Sequence, residues 1–352
     1  MSSKPKTKLV LTGGGTAGHV MLHLALLPQY KAANLQLLYI GGKGVEESLA
    51  SAAGIPFQRI RTGKLRRYFS LQNFLDIFNI FFGFLQSLRF LYAFKPDLVF
   101  SKGGFVSVPV GLAAYLLRIP LVTHESDYTP GLATKILLPC CTRVFYAFKE
   151  TAQFLPASKA QWVPTPVRDF LRHGDVSLGI KFCAFRLDDV RPVILVMGGS
   201  QGALALNQAL EKVLPRLLLQ YRVILLSGKG KGIRAPELAD GFCSFEYVDQ
   251  ELPHLFALAS VVVSRAGANA IFEFLALKKP MLLVPLVQGS RGDQVHNARS
   301  FVESGFAKLL LEKDCQGPQG GELLYQAIAS LIAEKEQYIS RMTAVEIGRA
   351  HV

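Results

Sequence analysis

The chain has 352 residues, half of them hydrophobic, which is enough to bury two cores of ordinary domain size rather than one. Lys and Arg outnumber Asp and Glu by 39 to 26, so the surface should attract something anionic: nucleic acid, an acidic membrane or phosphorylated metabolites. The five cysteines are odd in number and lack metal spacing, with Cys140 and Cys141 adjacent and Cys183, Cys243 and Cys315 isolated, which reads as a reduced, cytosolic protein.

Met1 to Lys8 is polar and basic, and the apolar segment after it is too short and too glycine-broken for a signal peptide. From there on, apolar runs of strand length alternate with helical stretches, the pattern of parallel α/β sheets covered on both faces. The first run, Lys8-Leu9-Val10-Leu11-Thr12, leads into Gly13-Gly14-Gly15-Thr16-Ala17-Gly18-His19. The same phrase returns past the middle of the chain, where Val193-Ile194-Leu195-Val196-Met197 leads into Gly198-Gly199-Ser200-Gln201-Gly202-Ala203. Strand, glycine turn and helix start together place bare backbone N–H groups at a helix N-terminus, where a phosphate is favoured. Two such units predict two phosphorylated ligands.

Gly13, Gly15 and Gly18 also fit the G-x-G-x-x-G of dinucleotide binders. That reading wants an acidic residue at the end of the second strand to hold the ribose, and here Leu37-Leu38-Tyr39-Ile40 ends in Gly41-Gly42-Lys43, so an NAD dehydrogenase is disfavoured. His19 should lie near the start of the first helix, facing whatever the loop binds, as a candidate general base.

Lys64-Leu65-Arg66-Arg67-Tyr68-Phe69 is a basic cluster with two aromatics, and Leu71 to Phe94 is the most apolar long stretch, about 36 Å as a helix. Gln72, Asp76, Asn79, Gly83 and Gln86 form one narrow polar stripe on it. Such a helix lies in a protein core or in a membrane interface, and composition leaves both readings open.

A third glycine turn, Ser101 to Ser107, follows the strand Leu98-Val99-Phe100, so the first half offers two anion-reading turns, enough for a diphosphate. Any one of these glycines could equally serve a tight turn without a ligand. His124-Glu125-Ser126-Asp127 puts titratable groups at the end of the strand Leu121-Val122-Thr123, the edge where open α/β sheets bind ligands. In the second half, Val261-Val262-Val263 leads into Ser264 to Glu273, and Glu273 could accept hydrogen bonds from two ribose hydroxyls or simply answer the helix dipole. The aromatic and basic interleaving of RNA-binding modules is not seen, which favours nucleotide and membrane over nucleic acid.

Seven segments together resemble the MurG family, the UDP-N-acetylglucosamine transferases of bacterial cell-wall synthesis. They are GGGTAGH at Gly13 to His19, SKGGFVSVP at Ser101 to Pro109, HES at His124 to Ser126, TPVR at Thr165 to Arg168, GGSQGA at Gly198 to Ala203, SRAGANAIFE at Ser264 to Glu273 and DQVHNA at Asp293 to Ala298. They occur in family order over nearly the full length. The resemblance implies a GT-B fold, two doubly wound Rossmann-like parallel-sheet domains facing across a cleft. Residues 1–168 would bind the acceptor and associate with the membrane, and residues 169–346 would bind the UDP-sugar.

The implied substrates are UDP-N-acetylglucosamine and undecaprenyl-diphosphate-linked N-acetylmuramoyl-pentapeptide. On the donor side the resemblance implies Ser200 at the diphosphate, Glu273 at the ribose, and backbone near Val248 with Arg168 at the uridine. Gln294 and the Ala268 backbone would meet the sugar hydroxyls, and Thr16, Ala17 and Gly18 would complete the donor contacts. On the acceptor side it implies Gly14, Gly15, Gly103, Gly104, His124 and Glu125, with His19 as catalytic base. The acceptor's prenyl tail would explain an apolar, basic-flanked face made by Lys64, Arg66, Arg67, Ile77, Phe81 and Phe84, on a peripheral enzyme at the cytoplasmic face of an anionic membrane.

No cofactor or metal is expected, since no Asp-x-Asp or His cluster argues for a bound divalent ion, and no nucleic acid partner is expected. The rivals are a related GT-B enzyme glycosylating another membrane lipid such as diacylglycerol, and a nucleotide-sugar-binding regulator without catalysis. The chain departs from the family at Ala17, where glycine is frequent, and at Asp127, where asparagine is usual. The closing hexapeptide, Ile347 to Val352, is what a common sequencing-adapter string encodes, and the expectation is that the true C-terminus is missing.

Overall fold

The computed structural model describes residues 6–63, 71–199, 202–233, 240–287 and 292–345, and the closing hexapeptide lies outside them. The chain divides into two compact units, one ending at Arg168 and the other beginning at Asp169.

The first unit is built on a parallel sheet of seven strands: β1 (Lys8–Thr12), β2 (Gln36–Gly41), β3 (Phe57–Arg59), β4 (Leu98–Ser101), β5 (Leu121–Glu125), β6 (Arg143–Tyr146) and β7 (Ala160–Trp162). Their order is β3-β2-β1-β4-β5-β6-β7. Because strand side chains alternate, β1 feeds both faces. Val10 joins a core with Ile40, Val99 and Leu121, while Leu9 and Leu11 join Val20, Tyr39 and Ala50 in the other. Burial on both faces is why these strands read as continuous apolar runs. Each such side chain contributes about 1.5 to 3 kcal/mol.

The second unit repeats the plan with six parallel strands: β8 (Val193–Met197), β9 (Arg222–Leu226), β10 (Phe242–Phe245), β11 (Val261–Ser264), β12 (Met281–Leu283) and β13 (Ala307–Leu309), in the order β10-β9-β8-β11-β12-β13. The recurring phrase therefore has a topological meaning. In each unit it leaves an inner strand, β1 or β8, whose neighbours on either side are the next strand in sequence and the one reached by crossing over. That is the switch point, where loops diverge to opposite faces and open a crevice at the carboxyl edge.

The helix Leu71–Phe94 is amphipathic in an unusual sense. Its inner side packs Phe84, Leu88, Phe90, Leu91 and Phe94 on the first core. The polar stripe is occupied by the chain after β3: Gln86 Oε1 accepts from Arg61 N at 2.7 Å, and a side chain at Gly83 would come 2.0 Å from the Arg61 carbonyl. The remaining side leaves Ile77, Phe78, Phe81, Phe82 and Leu85 between 44% and 56% exposed. The expectation for Phe84 is thus corrected. It points inward, one helical turn from Leu88 and two from Leu91, while Phe78, Phe82 and Leu85 join Ile77 and Phe81 outside. Lys64, Arg66 and Arg67 lie outside the described residues.

Candidate active site

The two glycine turns of the first unit pack on each other. Lys102 N donates to Thr12 O at 2.8 Å, joining the end of β4 to the end of β1. Gly104 adopts a left-handed conformation, φ +78°, and a Cβ there would lie 2.2 Å from Gly14 O and 3.0 Å from His19 Nδ1. Only glycine permits both the backbone angle and this approach. The turns and the imidazole thus form one assembly at the switch point. Gly15, at φ +89°, lies against the Phe105 ring, and a Cβ on Gly14 would meet the Glu46 carboxylate at 2.6 Å.

His19 sits in the first turn of the helix Ala17–Ala25, half-buried, with Thr16 Oγ1 3.2 Å from its Nδ1. Thr16 is the N-cap, yet its hydroxyl turns to His19 instead of capping the helix. Ala17 and Gly18 are partly exposed at the helix start, so a methyl group at 17 is accommodated there.

His124 and Glu125 close β5 and are 2% and 6% exposed. His124 Nε2–H donates to Val163 O at 3.1 Å, and burial, reinforced by the nearby Lys102 charge, holds its pKa well below the usual histidine range. Glu125 accepts from Asp127 N, Gly131 N and Thr134 Oγ1, at 3.2, 2.8 and 2.7 Å. Its oxygens are engaged in shaping the loop that begins the helix Leu132–Leu137.

In the second unit, Gly198 to Ala203 leaves β8 and leads into the helix Leu204–Leu217, while Ser200 and Gln201 lie outside the described residues. Beside it, β11 ends at Ser264, and the helix Ala268–Ala276 follows with Gly267 as N-cap and no side-chain cap. Ala268 therefore presents its backbone at a helix start. Glu273 is the sixth residue of that helix and only 8% exposed. It lies beyond the first turn, where the dipole effect fades, so the dipole does not account for it.

Gln294 Oε1 accepts from Leu286 N at 3.0 Å, tying the helix Asp293–Glu303 to the loop after β12. Asn297 reaches Ala266 O at 3.2 Å, and Arg265 donates to Val284 O and pairs with Glu312. Loops after β11, β12 and β13 are thereby fixed by buried polar bonds. Val248, 7% exposed, follows β10, and Arg168 is half-buried at the close of the first unit. Among the described residues no cluster of His, Cys, Asp or Glu suits a metal ion.

Sequence reasoning passed over three groups near the first turn. His23, fully buried, donates Nε2–H to Thr12 O at 3.2 Å, and burial pushes its pKa down to about 3. Glu46, 3% exposed, lies under Gly14 and Gly42. Lys102, also 3% exposed, reaches Ser126 Oγ at 2.7 Å. Lys102 had a signal, since it continues the alternation of Phe100 past the end of a buried strand. Nothing in the local pattern marks Glu46 as buried rather than Glu47.

Residues 9–146 match the glycosyltransferase family 28 N-terminal domain and residues 193–351 the glycosyltransferase family 28 C-terminal domain. Among curated relatives, the chain is 49% identical over 342 residues to the UDP-N-acetylglucosamine--N-acetylmuramyl-(pentapeptide) pyrophosphoryl-undecaprenol N-acetylglucosamine transferase of Geobacillus kaustophilus, covering 96% of this chain and 94% of that protein. It is 47% identical over 341 residues to the protein of the same name from Lachnospira eligens, covering 96% and 95%. The crystal structure of Acinetobacter baumannii MurG superposes with a TM-score of 0.73 at 24% identity, over 96% of this chain and 95% of that one. UDP-GlcNAc 2-epimerase from Neisseria meningitidis, bound to UDP-GlcNAc, superposes with 0.63 at 14% identity, over 96% and 94%. A transferase and an epimerase share this fold, so the fold alone does not fix the reaction.

Proposed function

The chain belongs to glycosyltransferase family 28, within its MurG group, and on that premise we propose that it moves N-acetylglucosamine from UDP-N-acetylglucosamine to the 4-hydroxyl of undecaprenyl-diphosphate-linked N-acetylmuramoyl-pentapeptide. The observation that carries this reading is 49% identity to a transferase of that name along 96% of the chain, both units included. The experiment that tests it is UDP release from UDP-N-acetylglucosamine with and without a short-chain analogue of the lipid-linked acceptor. Release that requires the analogue supports the reading, and release indifferent to it contradicts it.

The reaction is an inverting displacement. The acceptor 4-hydroxyl attacks the anomeric carbon from the face opposite UDP, the bond to the leaving diphosphate oxygen breaks, and a β-1,4 link forms. His19 takes the hydroxyl proton. In the tautomer whose Nδ1–H donates to Thr16 Oγ1, Nε2 carries the lone pair for this step. Negative charge grows on the leaving UDP, and the backbone N–H groups and helix starts after β8 and β11, with Ser200, stabilise it. Glu273 holds the ribose, Val248 and Arg168 the uridine, and Gln294 and the Ala268 backbone the sugar hydroxyls, with Thr16, Ala17 and Gly18 approaching the donor from the first turn.

The acceptor diphosphate rests on Gly14, Gly15, Gly103 and Gly104. His124 and Glu125 serve that site by shaping it, with His124 Nε2 engaged by Val163 and the Glu125 carboxylate by Gly131 and Thr134.

The prenyl tail keeps the acceptor in a membrane, and the exposed apolar side of Leu71–Phe94 is the surface we assign to it. Ile77, Phe78, Phe81, Phe82 and Leu85 enter the interface. Lys64, Arg66 and Arg67, just upstream in sequence, add about 1 kcal/mol each against anionic lipid. The enzyme would then be peripheral, on the cytoplasmic face.

A further inference from the structure

Lys102 has no part in the scheme above, and its setting is unusual. It is 3% exposed at the meeting of three strand ends. Its backbone N–H bonds Thr12 O at the end of β1, and it directly precedes Gly103 and Gly104. Its side chain crosses to the end of β5, where Nζ donates to Ser126 Oγ at 2.7 Å and, at 3.4 Å, to His124 O. A Cβ on Gly13 would touch the Lys102 Cβ at 3.0 Å, so the lysine also backs the first glycine turn.

A buried ammonium is costly unless something compensates it. Here the two hydrogen-bond acceptors are a neutral hydroxyl and a carbonyl. Burial is the larger influence and draws the Lys102 pKa below the ordinary lysine range, while the carboxylates of Glu125 and Asp127 favour the charged form. Glu125 already accepts three hydrogen bonds from its own loop, and Asp127 is half-buried beside Ser126. The histidines around the lysine, His23 and His124, are both held toward the neutral form. Lys102 is thus the basic side chain buried behind the first glycine turn, with carboxylates nearby to support its charge.

We propose that Lys102 is the electrostatic anchor of the acceptor's diphosphate, supplying from beneath Gly13–Gly15 and Gly103–Gly104 the positive charge that their N–H groups alone would lack. This rests on the acceptor reading above. It also gives Asp127 a role: its carboxylate offsets the lysine when the site holds no anion, at some expense of anion affinity.

The test uses inorganic pyrophosphate as the probe, competing with the short-chain acceptor analogue at saturating UDP-N-acetylglucosamine. Lys102→Met should raise both the pyrophosphate Ki and the acceptor KM by about tenfold or more, the effect of removing one partly screened charge. The donor KM should stay within twofold. The variant should still melt cooperatively but at a lower midpoint, because removing the lysine leaves the Glu125 and Asp127 carboxylates without their cation. Ser126→Ala separates charge from tether. It removes the lysine's best hydrogen bond and keeps its charge, so the pyrophosphate Ki should stay within twofold of wild type. Asp127→Asn should lower that Ki severalfold.

An unchanged Ki in Lys102→Met overturns the proposal. So does a Ser126→Ala variant as weak toward pyrophosphate as Lys102→Met, which would make the lysine a structural tie. The wild-type control keeps the two readings apart: absence of acceptor-dependent turnover there would sink the proposed function, whereas normal wild-type turnover with an unaffected Lys102→Met would sink only the anchor.

Discussion

Replacing Gly104 by alanine should disable the acceptor side while leaving the donor side and the fold largely intact. Two effects add at this position. The left-handed backbone, φ +78°, costs an L-residue about 1 to 2 kcal/mol. The new methyl carbon would also stand 2.2 Å from Gly14 O and 3.0 Å from His19 Nδ1. A carbon normally approaches a carbonyl oxygen no closer than about 3.3 Å, so the two turns must separate by about 1 Å and carry the imidazole with them. Misplacement on that scale can lower turnover by about a hundredfold.

Stability should fall only by the strain not relieved by that shift, about 1 to 2 kcal/mol, or a few degrees in the melting of a unit this size. The assay is steady-state UDP release with varied acceptor analogue, paired with calorimetric UDP binding. We expect kcat down by about a hundredfold, UDP affinity within twofold, and a cooperative melt. A Gly104→Ala enzyme with wild-type kcat would refute the joined assembly of the two turns and His19.

His19→Ala or His19→Asn should cut kcat by about 10² to 10⁴ with little change in donor binding, and should remove the acidic limb of the kcat/KM profile; an intact limb would end the assignment of His19 as base. Glu273→Ala should raise the donor KM by about 1.5 to 3 kcal/mol, roughly ten- to more than a hundredfold, and spare the acceptor KM; isothermal titration with UDP gives an independent reading. Serine at Ile77, Phe81 and Phe82 together should abolish flotation with anionic liposomes without unfolding. Phe84→Ala, from the inner side of the same helix, should instead cost about 3 kcal/mol of stability.

Acid should loosen the first unit. An unfolded histidine protonates as pH falls through about 6.5, whereas folded His23 resists until about 3. Between these values the unfolded state binds more protons, so His23's contribution is complete above the upper value and declines below it by about 1.4 kcal/mol per pH unit. His124 acts in the same direction. The sole tryptophan, Trp162 in β7, reports on this unit. Its urea midpoint should drop steeply from pH 6.5 to 5, and His23→Gln should flatten that slope by one proton.

The sequence declared those features whose cause is local. A parallel strand buried on both faces must be apolar throughout, and the turn after it needs glycine where the backbone turns left-handed. The phrases at β1 and β8 could therefore be read directly. Strand order could not, because it depends on which crossover packs where. The position of both phrases at switch points emerged only from the sheets.

The outer helix was half legible. Its polar stripe was evident, but what covers the stripe was not: Gln86 accepts from Arg61 N and Gly83 lies against the Arg61 carbonyl, and Phe84, expected on the outer apolar side, packs on the core. At the candidate site, His124 and Glu125 looked like ligand-facing groups because they end a strand at the binding edge. Their partners, Val163 and Gly131, lie 39 and 6 residues away and could not be inferred from spacing. Lys102 and Glu46 were missed because a charged side chain is ordinarily solvated, and only tertiary packing reverses that expectation.

The central claim is a single inverting transfer onto the acceptor 4-hydroxyl, and the anomeric configuration of the product tests it most directly. Proton NMR of the disaccharide formed from UDP-N-acetylglucosamine and the short-chain acceptor analogue should show one new β-linked N-acetylglucosamine, joined at the 4-position, in amounts equal to the UDP released. An α-linkage, a different position, or conversion of the donor sugar without transfer to the acceptor would contradict the account.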